Sequence, residues 1–243
     1  MRTKQELIDA NLKTLHLMLD GLKNYNFEKF GVSREHSTTM DDLIYEYDDK
    51  KVPLSDWFNG ATKAVLQPKG KDFVLKIPFE GEWQEDWCYN EENDDYDLIE
   101  EYFCEFQGSG GVSNDWDYCQ REVELYNLAA EAGLGEIFVE TFFVDYVNGH
   151  PVYAQQRVDK VGGWNGKSDE ERSSTRDKLS KAGQHAPMDL DWVATFLEFY
   201  DEELLFRLFK FLDEEWIDDD LHNGNIGYLN GRPVIFDYAG FRE

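Results

Sequence analysis

The sequence predicts an α+β fold, with antiparallel strands through the middle of the chain and helices concentrated towards its C-terminus. Alternating apolar residues flank turn-forming residues in two places, residues 62–77 and residues 138–158, and each pattern is typical of a β-hairpin. Apolar residues recur at helical spacing over residues 120–132 and 189–216. A third hairpin signal, Asn230-Gly231 between short apolar runs, follows these helices.

The composition is that of a folded but strongly acidic protein. Of the 243 residues, 41% are hydrophobic and 15% are aromatic, which is enough for a sizeable core. The formal net charge is -27, so we do not expect direct binding of nucleic acid, which needs clustered Lys and Arg. A solvated acidic surface and a basic protein partner are both consistent with this charge.

Cysteine usage and hydropathy indicate a cytoplasmic protein. Cys88, Cys104 and Cys119 are odd in number and have no C-x-x-C spacing, so neither a disulfide framework nor a zinc site is predicted. The N-terminal residues lack the apolar run of a signal peptide. No stretch approaches the roughly 18 apolar residues of a membrane span, and we expect no membrane partner.

The first 55 residues are predicted to form a helical extension. Its apolar residues recur at steps of four, three, four and three, which predicts one stripe along an amphipathic helix that docks on the body: Ile8, Leu12, Leu15, Leu19 and Leu22. From about residue 26 to residue 55 the pattern is broken and polar. We interpret that part as a connector with little regular structure.

The first hairpin is predicted to pair residues 62–66 with residues 71–77 about the turn Gln67 to Gly70. Alternation along its second strand places Phe73, Leu75 and Ile77 on one face, and Val74 and Lys76 on the other. The second hairpin is predicted to pair residues 138–147 with 152–158 across Asn148-Gly149, a dipeptide suited to a tight turn.

An acidic aromatic insert separates the two hairpins. Residues 80–118 contain 14 acidic residues and no Lys or Arg. Aromatic residues interleave with the acids, so simple disorder is not expected: Trp83, Trp87, Tyr89, Tyr96, Tyr102, Phe103, Phe106, Trp116 and Tyr118. A cover packed on the body is the favoured interpretation, and a recognition arm is the alternative.

Helical patterns follow the insert. Residues 120–132 carry a predicted stripe of Leu125, Leu128 and Ala132, with Gly133 placed to end the helix and Glu122 sharing its inward face. Residues 166–184 are polar, and no element is predicted there. Residues 189–216 predict one long or two consecutive helices, whose apolar stripe comprises Val193, Phe196, Leu197, Tyr200, Leu205, Leu208 and Leu212.

The residues that follow predict a metal site at the open end of a hairpin. A tight turn at Asn230-Gly231 opposes Ile226 to Ile235 and therefore brings Asn225 opposite Phe236, beside Asp237. An amide and a carboxylate that leave positions open for phosphate oxygens suit Mg²⁺. Asp220 lies five residues upstream of Asn225 and could accept the proton of an attacking hydroxyl.

The same residues also have non-catalytic interpretations. Asn225 and Asp237 are typical of side chains that close turns, and His222 of a loop residue held by hydrogen bonds. Lys76 taken alone is also consistent with an exposed strand, and Glu122 with a helix surface.

At this point the sequence resembles a known superfamily. Asp220-Leu221-His222-Asn223-Gly224-Asn225, followed by Asp237-Tyr238-Ala239-Gly240, looks like the catalytic loop and metal-binding turn of the protein-kinase-like superfamily. That superfamily includes protein kinases and small-molecule phosphotransferases of the aminoglycoside and choline kinase type. The resemblance implies that Asp220 is the catalytic base, Asn225 a metal ligand and Asp237 the main metal ligand.

Upstream residues match the order of the superfamily's other parts. Lys76 matches the lysine that holds the nucleotide's phosphates, and Glu122 matches the helix glutamate that pairs with it. The nucleotide-covering loop would be Asn59-Gly60-Ala61-Thr62, and Gln156 to Val158 would be the hinge that reads adenine. The resemblance thus implies a two-lobed fold, with an antiparallel-sheet N-lobe over residues 56–157 and a shortened, mainly helical C-lobe over residues 158–243.

The implied activity is Mg²⁺-assisted transfer of the γ-phosphate of ATP to a hydroxyl, with Ser or Thr of a protein as the expected acceptor and a small molecule left open. The sequence departs from the superfamily's pattern in its single covering-loop glycine and in Asp218-Asp219, where His-Arg is usual. Resemblance covers residues 55–240, without a substrate-binding segment after Gly240, and such trimming is similar to that of small phage and bacterial kinase-like proteins. A pseudokinase and an acidic, DNA-mimicking inhibitor are the alternatives.

Overall fold

The computed structural model describes residues 1–23, 52, 54–59, 63–78, 82–90, 95–103, 118–160, 167–183, 190–215 and 221–239. Its helices are α1 Lys4–Leu22, α2 Tyr118–Glu131, α3 Asp169–Lys181, α4 Leu190–Leu197 and α5 Glu202–Glu214. Over the described ranges, no helix combines the length and the apolar character that crossing a membrane requires.

The strands form three antiparallel sheets, which confirms the predicted α+β class. They are β1 Leu54–Asn59, β2 Lys63–Pro68, β3 Phe73–Pro78, β4 Glu82–Asn90, β5 Asp95–Phe103, β6 Thr141–Val147, β7 His150–Gln156, β8 Asp159–Lys160, β9 Ile226–Leu229 and β10 Arg232–Ile235. The main sheet has the order β1-β2-β3-β7-β6. A second sheet has the order β10-β9-β8, and β4 pairs with β5 in a separate ribbon.

One face of the main sheet packs against α1 in a first hydrophobic core. The predicted inward set of β3 is confirmed, since Phe73, Leu75 and Ile77 are all buried there. The remaining members of this core include Leu7, Leu15, Met18, Leu19 and Leu22 of α1, and Ala64, Leu66, Phe142, Val147, Val152 and Ala154 of the sheet. The opposite face of β3 is therefore left to Val74 and Lys76, as alternation predicts.

The predicted inward stripe of α1 is partly wrong. Leu12 has 44% of its surface exposed, and Ile8 is only partly buried. The buried face instead includes Leu7 and Asn11, whose side-chain amide donates to Asp72 Oδ1 at 2.7 Å. Both stripes satisfy helical spacing, so only docking against the sheet selects between them.

Both predicted hairpins of the main sheet form. Asn148 and Gly149 have φ values of 52° and 89°, which the tight turn between β6 and β7 requires. In the first hairpin, β2 continues to Pro68, two residues further than predicted, and β3 begins at Phe73, two residues later than predicted. Val65 lies opposite Lys76 in the resulting register.

Several elements were not predicted, among them the two-residue strand β8, which pairs with β9. β1 begins at Leu54, at the end of the predicted connector, and pairs with β2. The β4–β5 ribbon lies within the acidic insert and pairs nine residues on each strand. Helix α3 lies in the polar stretch, where Ser168 and Glu171 form a capping box. In each case, strand pairing or helix capping stabilises a segment whose sequence lacks a clear apolar period.

Helix α2 buries Tyr118, Cys119, Glu122, Leu125 and Ala129, which confirms the inward position of Glu122 and the helix end at Gly133, where φ is 72°. The predicted stripe is wrong at two other positions. The side chains of Leu128 and Ala132 are exposed, because the sheet contacts the adjacent face of the helix.

A second hydrophobic core joins the helices to the last hairpin. The pattern over residues 189–216 resolves into α4 and α5, and Asp201 caps α5 by accepting from Leu204 N at 2.7 Å. The predicted apolar stripe is confirmed, since all seven residues belong to this core or pack against it. Other members include Leu125 and Ala129 of α2, with Phe138, Leu179, Leu221, Ile226, Ile235 and Tyr238.

Substitution of Leu15 and Leu12 tests which face of α1 is buried. Leu15 has 5% of its surface exposed, so Leu15→Ala should lower the free energy of unfolding by about 2–5 kcal/mol. Leu12→Ala, a matched change one turn away, should alter it by less than about 0.5 kcal/mol. Denaturant unfolding of both variants checks this, and equal losses would contradict the observed docking of α1.

Candidate active site

Lys76 and Glu122 meet on the face of the main sheet that is turned away from α1. Lys76 Nζ donates to Glu122 Oε2 at 2.6 Å, and both residues are buried. The interpretations of Lys76 as an exposed strand lysine and of Glu122 as a surface acid are therefore wrong. The strand pleat turns Lys76 towards α2, and the helical spacing of Glu122 with Leu125 turns the carboxylate towards the sheet.

The backbone carbonyl of Phe236 connects this pair to the segment after β10. Phe236 O accepts from Lys76 Nζ at 3.0 Å and from Gln155 Nε2 at 2.8 Å. Gln155 also donates to Thr141 Oγ1 at 2.8 Å, and Thr141 donates to Glu122 Oε2 at 2.7 Å. This network fixes the backbone immediately before Asp237 against the sheet and against α2.

A second buried lysine, Lys63 of β2, completes the cluster. Lys63 Nζ lies 2.8 Å from Asp237 Oδ1 and 3.4 Å from Glu122 Oε1, and 4% of the residue is exposed. The ring of Tyr118 lies below the ammonium, 5.6 Å from its centroid. Lys63, Lys76, Glu122 and Asp237 are called the charged cluster below.

Sequence reasoning missed Lys63, although a signal for it was present. Lys63 is two residues from Val65, and Val65 lies opposite Lys76 in the hairpin register. Residues two apart on a strand share a face, so alternation along β2 would have placed both lysines together.

Lys63 and Asp237 favour each other's charged forms. Burial favours a lower pKa for Lys63, but the nearby Asp237 and Glu122 carboxylates outweigh it and raise that pKa well above its usual value. Burial likewise favours a higher pKa for Asp237, but the positive charges of Lys63 and Lys76 lower it from 3.8 to about 2. Both pKa shifts favour the ion pair between Lys63 and Asp237.

The last hairpin forms in the predicted register. Leu229 lies opposite Arg232 and Ile226 opposite Ile235, about a turn in which Asn230 and Gly231 have φ values of 53° and 78°. Phe236 N donates to Asn225 O at 3.0 Å, so Asn225 does lie opposite Phe236, beside Asp237. Asn225 is buried at the end of a short 3-10 turn.

The second core holds this hairpin beneath the sheet. Ile235 N donates to Ile137 O at 2.8 Å, and Val139 N donates to Ile235 O at 2.9 Å. Tyr238 packs edge-on against Phe138, with ring centroids 5.0 Å apart, and its hydroxyl donates to Val139 O at 2.8 Å. Both sides of Asp237 are therefore anchored by backbone contacts.

The donor set beside the charged cluster fits a hard divalent cation that takes its other ligands from phosphate and water. Asp237 is ionised, and 33% of its side-chain surface is exposed. Asn225 lies opposite Phe236, the residue before Asp237, and adds a side-chain amide. Within the described ranges, no group of three His, Cys, Asp or Glu side chains could hold a metal ion by itself.

The remaining predicted site residues are placed as follows. Four of them, Asp220, Gly60, Ala61 and Thr62, lie outside the described residues. Asn59 ends β1 opposite Ala64. His222 Nδ1 accepts from Gly224 N at 2.9 Å, which agrees with its interpretation as a loop residue.

The predicted hinge segment links the main sheet to the three-stranded sheet. Gln156 ends β7, and its Oε1 accepts from Arg2 N at 3.0 Å, so the start of α1 is attached to it. Val158 follows and lies against Gly227 of β9, where an added Cβ would come within 2.7 Å of Val158 Cγ2. Only glycine fits this close approach.

Comparison of the chain with protein-family models, with curated proteins and with solved structures gave no match.

Glu122→Gln tests the charge balance of the cluster. This substitution leaves two buried ammonium groups with one carboxylate, so the free energy of unfolding should fall by about 3–5 kcal/mol. Glu124 is exposed on the same helix, and Glu124→Gln should change it by less than about 0.5 kcal/mol. Chemical denaturation checks both, and similar values for the two variants would show that the cluster does not need its central carboxylate.

The lowered pKa of Asp237 predicts a loss of stability in acid. The folded-state pKa lies below the unfolded one, so the ionised carboxylate stabilises the fold fully above about pH 4 and progressively less as the pH falls towards about 2. After allowance for solvent screening, the contribution is about 1–2 kcal/mol. In metal-free buffer, the difference in unfolding free energy between wild type and Asp237→Asn should therefore shrink below about pH 4. A difference that stays constant or grows would contradict this.

Proposed function

We propose that this protein is an ATP-dependent phosphotransferase of two-lobed, protein-kinase-like architecture. The observation that carries the proposal is the buried Lys76–Glu122 pair, joined through Phe236 O to the backbone beside Asp237. A phosphate-binding lysine, the carboxylate that orients it and a metal-binding carboxylate are the parts that phosphoryl transfer needs in one place.

Each residue has a defined role in this proposal. Lys76 binds nucleotide phosphate oxygens and Glu122 positions it, while Asp237 and Asn225 hold Mg²⁺, which neutralises phosphate charge when bound. Asp220 orients the acceptor hydroxyl and accepts its proton. The segment from Asn59 to Thr62 covers the nucleotide, and the backbone of Gln156 to Val158 reads adenine.

The energetics of burial support a functional role for the cluster. Removing charges from water is costly, and replacing a buried ion pair with apolar side chains is often neutral or stabilising. The charged cluster is thus a poor way to stabilise a sheet that already has an apolar core on its other face. Because retention for stability is not expected, the arrangement favours a role in binding or catalysis.

Local charge also matters, because the chain as a whole repels anions. With a formal net charge of -27, the protein's field opposes capture of a free nucleotide. Lys76 supplies positive charge where the phosphates would bind, and the metal would bring more. Binding should therefore depend strongly on divalent cations.

Lys76→Met is the direct test of the proposed site. Loss of the phosphate-binding charge should lower kcat/KM for phosphate transfer from ATP at least about 100-fold. Lys69 is exposed in the turn of the same hairpin, so Lys69→Met should retain full activity. The measurements are thermal shift with Mg·ATP and transfer of labelled phosphate. Equal activity of wild type and Lys76→Met would refute the assignment.

Asp220→Asn separates an enzyme from a pseudokinase. It should retain Mg·ATP binding while losing phosphate transfer, because it removes the proton acceptor and not the nucleotide site. Labelled ATP offered to cell lysate and to a panel of small hydroxyl compounds identifies the acceptor, for which we propose Ser or Thr of a protein. Binding of Mg·ATP by wild type without transfer to any acceptor would favour the pseudokinase.

A second candidate function rests on the β4–β5 ribbon. Its paired strands belong to the insert that has 14 acidic residues and no basic ones. Such a segment could bind a basic protein as an acidic, DNA-mimicking inhibitor. Binding of that kind would be lost at high salt and would be unaffected by Asp237→Ala, which distinguishes it from nucleotide chemistry.

A further inference from the structure

Lys63 has no role in the phosphotransferase proposed above, yet it lies at the centre of the charged cluster. Its ammonium contacts Asp237 Oδ1 at 2.8 Å and Glu122 Oε1 at 3.4 Å. Glu122 already has a closer cation in Lys76 at 2.6 Å. The principal partner of Lys63 is therefore the carboxylate that is proposed to bind Mg²⁺.

We infer that Lys63 is a second phosphate-binding residue, which exchanges Asp237 for a phosphate oxygen when the metal-bound nucleotide enters. This inference rests on the proposed function and assigns to that site a feature that the superfamily's pattern did not supply. In the free protein Lys63 is paired with Asp237, and in the protein with bound metal and nucleotide it contacts the nucleotide.

Lys63 and a bound metal ion would compete for one carboxylate, that of Asp237. A divalent cation bound to Asp237 would lie close to the Lys63 ammonium, and like charges at short range in a buried site repel strongly. The Lys63–Asp237 contact and full coordination by Asp237 are thus opposed. In the free protein, Lys63 should weaken the binding of a metal ion that arrives alone.

The displaced Lys63 ammonium would need a new partner within the site. Lys63 is 4% exposed, and the ring of Tyr118 lies below it, so the ammonium cannot simply turn into solvent. A buried ammonium needs an anionic partner. The phosphate oxygens that accompany the metal are such partners, and the flexible lysine stem allows a shift of contact while Glu122 Oε1 remains nearby.

The position of β2 brings the Lys63 ammonium close to that of Lys76. Lys63 is the first residue of β2, and it shares a face with Lys76. Two ammonium groups on neighbouring strands therefore converge from one side on Glu122, with Asp237 beside them. Two lysines, and not one, therefore supply positive charge beside Glu122 and Asp237. This suits a chain whose overall field is strongly negative.

The test compares Lys63→Met with Lys76→Met and with the exposed control Lys69→Met. In nucleotide-free protein, Lys63→Met should bind Mn²⁺ about 5–10-fold more tightly than wild type, as read by electron paramagnetic resonance, because the competing ammonium is gone. The same variant should bind Mg²⁺ with a non-hydrolysable ATP analogue about 10-fold more weakly. Lys63→Arg should restore most of the nucleotide affinity, and Lys69→Met should change neither quantity.

The opposite signs of these two effects exclude a merely structural role. A lysine that only stabilised the fold would weaken both ligands on removal, and a lysine without a role would change neither; each result would overturn the inference. If wild type binds no Mg·ATP analogue, the proposed function fails and the inference fails with it. If Lys76→Met loses nucleotide affinity while Lys63→Met keeps it, only the inference fails.

A measurement on the wild-type protein covers the case in which Lys63→Met does not fold. Side-chain ammonium NMR with bound Mg²⁺ and ATP analogue should show a nitrogen–phosphorus correlation for Lys63 as well as for Lys76. A correlation for Lys76 together with a Lys63 ammonium still paired to Asp237 would overturn the exchange of partners.

Discussion

Mutual neutralisation of four charged groups away from water constrains most of this structure. Each buried ammonium or carboxylate costs several kcal/mol unless a partner lies within a few ångströms. Lys63 and Lys76 come from adjacent strands, Glu122 from α2, and Asp237 from the segment after β10. The cluster is satisfied only when these elements meet, so it selects one arrangement of sheet, helix and hairpin.

Two apolar cores hold that arrangement from opposite sides. α1 covers one face of the main sheet, and the helices with the last hairpin form the second core beyond the other face. Between them, Thr141 donates to Glu122 Oε2, and Gln155 donates to Thr141 and to Phe236 O. A polar layer therefore lies between the two apolar cores. Asp237 is the most exposed side chain of the charged cluster, and a ligand would enter on that side.

Local and global electrostatics differ sharply in this protein. The chain is strongly acidic overall, yet within the charged cluster positive and negative groups are equal in number. Such a site repels free anions less than the surrounding surface does, and a bound cation would make it attractive to phosphates. In the proposed function, catalysis would come from positioning and charge stabilisation and would need little covalent chemistry by the protein.

Sequence alone determined the features that depend on neighbouring residues. Asn148-Gly149 and Asn230-Gly231 set their hairpins because a tight turn needs positive φ, and the second of these set the register that brings Asn225 opposite Phe236. The helical spacing of Glu122 with Leu125 likewise placed Glu122 on the buried face of α2. Only the tertiary structure decided that Leu12 is exposed, that β4 pairs with β5, and that Lys63 reaches Asp237 across 174 positions in the sequence. Local patterns report backbone preference and periodicity, whereas the choice among faces and the partner of a buried charge depend on contacts between distant segments.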